Sequence, residues 1–468
     1  MGWTLDSRYQ TRARKSVIPQ DISHIKNDMV ISNLLKKIYS IQWRDVRSVT
    51  VREKAAQPGD ITGNLSESSR VVVSLVMNNG QKSDHHWFVK IMPKQHKNAD
   101  LMEKFNIFEN EIGFYKDIAP DLLSFLTESG VKNVEFSIPK LLFAANEEEG
   151  SVIILEDVSV QGYSQERDAG GDRYLSPEKA ELALDAIARI HAASKLYNMH
   201  SSLKLEEKHS TLRTNHTMWE DTGFHDRLSA MKDSYCEVLK KSSEHDSARL
   251  LKRFQSAFDS SYRLASMCAE RYAPKETKAV YLQHGDFHFN NLLFKQEAEG
   301  MSVMVVDWQL VYTGRSTGDV SYLLLSSISP ELRQQHEQRL KESYFTSFNN
   351  YLTSFESSVI AQLSRKTSET CGISFSIQCD SESDTEAEVQ VPFQKLERDY
   401  QESATLSLFL SCGNVLNSEA DRQSLGSTPL GLTPNFGSTP DLSEDEREQS
   451  TVKMAYSLAK KAEYLNII

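Results

Sequence analysis

The stretch HGDFHFNNLLF, residues 284–294, places a carboxylate, Asp286, five positions before an amide, Asn291. A second carboxylate, Asp307, ends the apolar run SVMVVD. Phosphoryl transfer asks little covalent chemistry of a protein; it needs a cation on the phosphates, a carboxylate near the attacking hydroxyl and oxygen ligands for magnesium. Asp286 is the candidate base. Asn291, across the same loop, and Asp307, at a strand end, are hard oxygen donors that suit Mg²⁺ and leave room for waters and ATP phosphates. The Asp-x₄-Asn step is that of a kinase catalytic loop. Lys90, within WFVKI, is placed to contact the α- and β-phosphates. Glu111, in the segment that follows, is an acid that could hold the lysine extended, with Glu109 equally eligible.

Taken singly, each of these residues has a plainer reading. A strand lysine is most often exposed, and a helical glutamate is most often solvated. Asp286 could simply form a turn, where Asp is common. Asn291 could satisfy loop backbone, and Asp307 could turn the chain at a sheet edge. His284 reads as a packed, hydrogen-bonded brace; His288 is divided between facing a substrate and lying exposed on the loop. The conjunction decides: strand Lys, helix Glu, His-x-Asp-x₄-Asn and strand Asp occur in one order with kinase-like spacing. Gly59 and Gly63, in QPGDITGN, could bring backbone amides to a phosphate. That stretch is neither GxGxxG nor a Walker A sequence, and a hairpin connection accounts for it equally well.

The elements that must position these groups follow from periodicity. Apolar Leu34, Leu35, Ile38 and Ile41 among Lys and Arg predict an amphipathic helix within 27–47. RVVVSLVMN, HHWFVKIMP (85–93) and SVIILEDV (151–158) read as strands. Between them, Phe105, Phe108, Ile112 and Tyr115 recur at three- and four-residue steps and predict a helix over about 99–118. Pro177 opens the next helix at the first-turn position that tolerates it. Strands with one intervening helix, then mostly helices, give an α+β chain with two lobes: residues 1–155 and residues 156–468. Two stretches, 365–389 and 417–450, are rich in Ser, Thr and acidic residues, and the second carries three Thr-Pro steps. Too little apolar area is available there to offset ordering entropy, so both are expected to be disordered inserts. The segment 393–416 between them and the C-terminal TVKMAYSLAKKAEYLNII keep helical periodicity.

Composition narrows the function classes. The 468 residues carry a formal net charge of −12, which argues against general nucleic-acid binding. No apolar run reaches the length of a membrane span, and the N-terminus lacks a signal-peptide core. Five scattered cysteines, without the spacing of a zinc site, read as reduced thiols. A cytosolic location is expected, and the sequons at Asn64 and Asn215 then read as chance matches.

HGDFHFNN together with VVDWQ resembles the aminoglycoside phosphotransferase and choline kinase superfamily. FVKIMP, FENEIGFYKDIAP, ILEDV, AIARIHAASK, VVDWQLVYTGRSTGDVSYLL and SPELRQQHEQRLKESYF refine the resemblance to the CHK kinase-like family that includes ecdysteroid kinases. The likeness spans about residues 55–350 and returns weakly at 393–416 and in the last helix. It implies a protein kinase-like two-lobed fold, with a small β-rich N-lobe and a larger helical C-lobe. It implies ATP and Mg as cofactors, Asp286 as catalytic base, Asn291 and Asp307 as metal ligands, and Lys90 with Glu111 as the phosphate clamp. It further implies that Glu156, Asp157 and Val158 form the hinge touching adenine, and that Asp319 braces the catalytic loop. The activity implied is phosphorylation of a small-molecule hydroxyl, on a steroid-like, aminoalcohol or xenobiotic acceptor. The alternative is a catalytically inactive kinase-like scaffold acting through its acidic Thr-Pro inserts. The chain departs from the family pattern at Trp308, after the metal aspartate, and in its two inserts, which put the acceptor in question.

Overall fold

The computed structural model describes residues 19, 21–54, 67–92, 104–147, 150–165, 174–212, 221–259, 280–315, 317–371, 391–420 and 444–465. The chain divides into two compact units, one of residues 1–104 with 139–163, the other of residues 105–138 with 164–468. The helical segment 105–138 thus goes with the second unit, although it precedes two strands of the first.

The first unit is an antiparallel sheet of five strands: β1 (Val46–Glu53), β2 (Glu67–Met77), β3 (Lys82–Ile91), β4 (Leu141–Glu147) and β5 (Gly150–Glu156), in the order β1-β2-β3-β5-β4. Period-2 alternation sends Val71, Val73, Leu75, Trp87, Val89, Ile91, Val152 and Ile154 to one face. There they meet Ile31, Leu34 and Leu35 of α1 (Asp28–Tyr39). Asn27 caps that helix by accepting from the Met29 N–H at 2.9 Å. Ser40, with φ of 59°, ends it. The apolar pattern that suggested helix as far as 47 breaks there, because Val46 already pairs with Met77 in the sheet. Lys90 lies opposite Ile153 in the β3–β5 register and alternates with Val89 and Ile91. Its side chain therefore belongs to the sheet face turned away from α1.

The second unit is mainly helical. Among the described residues its first helical run begins at Ile107 and continues past 118, while residues 99–103 of the expected helix lie outside the described residues. α2 (Ile107–Gly113) passes through a π-helical turn, Phe114–Ile118, into α3 (Ala119–Glu128). α4 (Pro177–His200) starts with Pro177 in its first turn and Ser176 as cap. α5 (Thr222–Lys240) and α6 (Ser247–Ala257) follow. Two small antiparallel ladders come next: β6 (Tyr281–Gln283) with β9 (Tyr312–Gly314), and β7 (Leu292–Glu297) with β8 (Gly300–Val305). α7 (Thr317–Ser326), α8 (Pro330–Cys371), α9 (Phe393–Ala420) and α10 (Glu444–Tyr464) complete the unit. The α+β class, with a β-rich part followed by a helical part, is as expected.

The edges of the expected inserts are helical. α8 continues to Cys371, within the first of them. α9 extends to Ala420, and α10 begins within EDEREQS. The remainder of both inserts lies outside the described residues. The last helices are fixed by buried polar contacts. Arg333 of α8, only 5% exposed, donates to the Leu324 and Leu325 carbonyls at 3.4 and 3.2 Å and to Ser457 Oγ at 3.0 Å. Lys341 pairs with Glu397 at 2.8 Å, and the Tyr400 hydroxyl donates to Glu337 at 2.7 Å. Cys236 and Cys412 are free and buried. No helix among the described residues is long and apolar enough to cross a membrane.

Leu34 is fully buried between α1 and the sheet. Leu34→Ala is expected to destabilise the first unit by about 2–5 kcal/mol, seen as a lower urea midpoint.

Candidate active site

β6 ends at Gln283, and the chain turns through His284 and Gly285 to reach Asp286. Gly285 has φ of +85°, and a Cβ there would lie 2.1 Å from the Leu310 carbonyl oxygen, so only glycine fits. The turn rests on Asp319, in the first turn of α7. One carboxylate oxygen accepts from the His284 N–H at 2.7 Å, the other from the Gly285 N–H at 3.0 Å. His191 of α4 brings Nε2 to within 3.2 Å of the same carboxylate, and Tyr344 holds its other ring nitrogen at 2.8 Å. The Asp319 N–H donates to the Gln283 side chain at 3.2 Å. Burial alone would raise the Asp319 pKa. The hydrogen bond and charge of His191, then His284, outweigh it and hold the carboxyl below its ordinary 3.8.

His284 links the turn to the strand that leads to Asp307. Its Nδ1 accepts from the Asp286 N–H at 3.2 Å, so Nε2 carries the proton and donates to the Val306 carbonyl at 2.9 Å. Burial lowers its pKa, which suits a neutral ring. Asp286 is also buried, which pushes its carboxyl up. The His288 imidazole, then His284 and the Asn291 amide, pull it back below the ordinary carboxylate value.

Asn291 follows a single 3₁₀ turn, Phe289–Asn291, and is fully buried. Its Nδ2 donates to the Asp286 carbonyl at 2.8 Å and to the Asp286 carboxylate at 3.2 Å. That fixes the amide with Oδ1 presented, and Oδ1 has no hydrogen-bond partner among the described residues. An unmet buried acceptor costs about 1–3 kcal/mol, which a bound cation would offset. Asp307 is joined to this point through the Val306 N–H, which donates to the Asn291 carbonyl at 3.0 Å. Asp307 is half-buried and has φ of +67°, a left-handed backbone that a non-glycine residue adopts at a cost of about 1–3 kcal/mol. Trp308 behind it stacks on Phe114 at 3.9 Å and 5°. Hard oxygens at Asn291 and Asp307 therefore fit a magnesium ion.

Glu111 is 1% exposed while Glu109 is half-buried, which separates two acids that sequence left equal. Tyr115 was not foreseen. Its hydroxyl is buried with no hydrogen-bond partner among the described residues. Burial, then the charges of Glu111 and Asp307, raise its pKa well above the usual 10.0. His191 was also missed as a brace, although AIARIHAASK, which contains it, was among the family-like motifs.

The first unit holds the other expected residues. Lys90 is 7% exposed, so it is not the solvent-facing lysine of the plainer reading. The carboxylate of Glu156 accepts from the Lys140 N–H at 2.9 Å and from Gln161 at 3.0 Å. Asp157 takes Lys54 at 3.0 Å and caps the turn that starts at Val158 by accepting from the Ser159 N–H at 3.1 Å. The glycine loop with Gly59 and Gly63 lies outside the described residues.

Residues 63–357 match the model of the ecdysteroid kinase-like family. Among solved structures the chain is similar to Plasmodium vivax ethanolamine kinase, with 12% identity, a TM-score of 0.42, and 100% of this chain and 98% of that one covered. It is also similar to a microcompartment-associated aminopropanol kinase, with 12% identity, a TM-score of 0.37, and 94% of this chain and 98% of that one covered. No curated protein matches the chain.

Asp319→Asn leaves an amide facing two backbone N–H groups and is expected to cost about 3–5 kcal/mol, measured by urea unfolding at neutral pH. Because the folded-state pKa is depressed, the stabilisation from ionised Asp319 is complete above the ordinary value and is lost as pH falls through the folded one. Stability of the wild type should therefore drop more steeply than that of the variant as pH falls below the ordinary carboxylate value of 3.8.

Proposed function

The chain belongs to the ecdysteroid kinase-like family, and from that premise we propose that it is an ATP- and magnesium-dependent phosphotransferase, acting in the cytosol on a hydroxyl group of a small molecule. The acceptor class is a steroid-like compound, an aminoalcohol or a xenobiotic. The observation that carries this reading is the Asp286–Asn291 pair. One amide nitrogen ties the loop to the base while its buried oxygen has no hydrogen-bond partner among the described residues.

Asp286 is the proposed base. Kept ionised by its neighbours, it orients the acceptor hydroxyl and receives its proton as the phosphoryl group is transferred. Asn291 Oδ1 and the Asp307 carboxylate would hold Mg²⁺, which when bound neutralises charge on the transferring phosphoryl group. Lys90 is the proposed contact to the α- and β-phosphates, with Glu111 as its partner. Glu156, Asp157 and Val158 are the proposed hinge to adenine. Both carboxylates there are engaged by neighbouring groups.

An ATP-consumption screen over hydroxylated steroids, aminoalcohols and xenobiotic alcohols tests the reading, with Asp286→Asn as the blank. Asp286→Asn is expected to lose about 10³-fold in turnover or more while keeping its affinity for Mg-ATP. Asp307→Ala should lose turnover together with metal-dependent nucleotide binding; undiminished activity in that variant removes the metal assignment. A wild-type protein that millimolar Mg-ATP does not stabilise against heat would reject the kinase reading as a whole.

A further inference from the structure

His288 is a buried polar side chain of the same loop that the reaction as described leaves unused. It is 2% exposed, and its ring packs edge-on against Tyr322 at 5.8 Å and 78°. Nδ1 accepts from the Asn290 N–H at 3.3 Å, which places the proton of a neutral ring on Nε2. That Nε2 stands 3.3 Å from Asp286 Oδ1. The approach is off the line of a hydrogen bond, and Nε2 has no hydrogen-bond partner among the described residues. Buried donors are seldom left unmet without a functional reason. Here the unmet donor and a carboxylate oxygen stand side by side, which is what one hydroxyl group, both donor and acceptor, can satisfy.

We propose that His288 is a second catalytic residue: its Nε2–H donates to the oxygen of the attacking hydroxyl while Asp286 Oδ1 accepts that hydroxyl's proton. This rests on the kinase reading above and adds the group that fixes the nucleophile's orientation. In the step, a bond forms between the hydroxyl oxygen and the γ-phosphorus of ATP. The bond from that phosphorus to the bridging oxygen of ADP breaks, ADP leaves with the electron pair, and the hydroxyl proton passes to Asp286. His288 transfers no proton. It holds one lone pair of the oxygen so that another points at phosphorus, an orientational contribution.

The test needs no identified acceptor, because water is the nucleophile in the slow hydrolysis of Mg-ATP alone. His288→Leu is expected to lower that hydrolysis about 10²-fold, the usual loss for one preorganised donor, with Mg-ADP affinity measured by calorimetry unchanged. His288→Gln, whose amide N–H reaches the Nε2 position, should recover most of the rate. His288→Asn, whose amide reaches only the Nδ1 position, should not. Wild-type hydrolysis in the Leu variant overturns the proposal, as do equal losses in the Gln and Asn variants, which indicate packing alone. If the Leu variant fails to fold, the Gln–Asn comparison decides by itself. A wild type that neither binds Mg-ADP nor hydrolyses ATP fails the kinase reading itself, an outcome distinct from a binding-competent enzyme indifferent to position 288.

Discussion

The backbone N–H groups of His284 and Gly285 converge on the carboxylate of Asp319, and the rest of the candidate site hangs from that contact. A buried carboxylate is tolerable only when several donors meet it. This one draws its donors from two backbone amides and from His191. The same requirement ties α4, α7 and the turn after β6 into one assembly, with α8 joined through Tyr344. From the turn, His284 reaches Val306, so its anchored imidazole links the positions of Asp286 and Asp307, alongside the Val306–Asn291 backbone bond. Part of the rigidity at these two carboxylates is therefore inherited from a third, Asp319.

The arrangement of the candidate site was legible where it depended on residue type and spacing. Asp286, Asn291 and Asp307 could be picked out because a five-residue step spans a short loop and a carboxylate follows an apolar strand. Local conformation was not legible in the same way. Nothing in VVDWQ announces that Asp307 adopts a left-handed backbone, since that follows from the hydrogen bond between Val306 and Asn291 and from the stacking of Trp308. Burial likewise needed the fold. Glu109 and Glu111 are alike in sequence, and only the helix's packing distinguishes them. Tyr115 escaped notice because a helical aromatic at a regular step reads as core.

Strands were easier to read than helix ends. β-branched runs in RVVVSLVMN and SVIILEDV fit buried strands, and the register follows from alternation. Helix ends failed where composition misled. Ser- and Thr-rich residues up to Cys371 stay helical because no glycine or proline interrupts them, and an acidic run that reads as solvated linker instead opens α10.

The π-helical turn at Phe114–Ile118 has a consequence for any re-engineering of the segment. An α-helix advances about 100° per residue, and a π turn accommodates one extra residue within an otherwise α-helical run. Phe114 and Tyr115, within that turn, serve Trp308 and the surroundings of Asp307, whereas Leu122 and Leu126 of α3 are fully buried beyond it. Deleting one residue would rotate one set against the other. The two halves are thus phased like the teeth of a vernier, and a segment grafted from a relative would keep both contacts only if it carried the same extra residue.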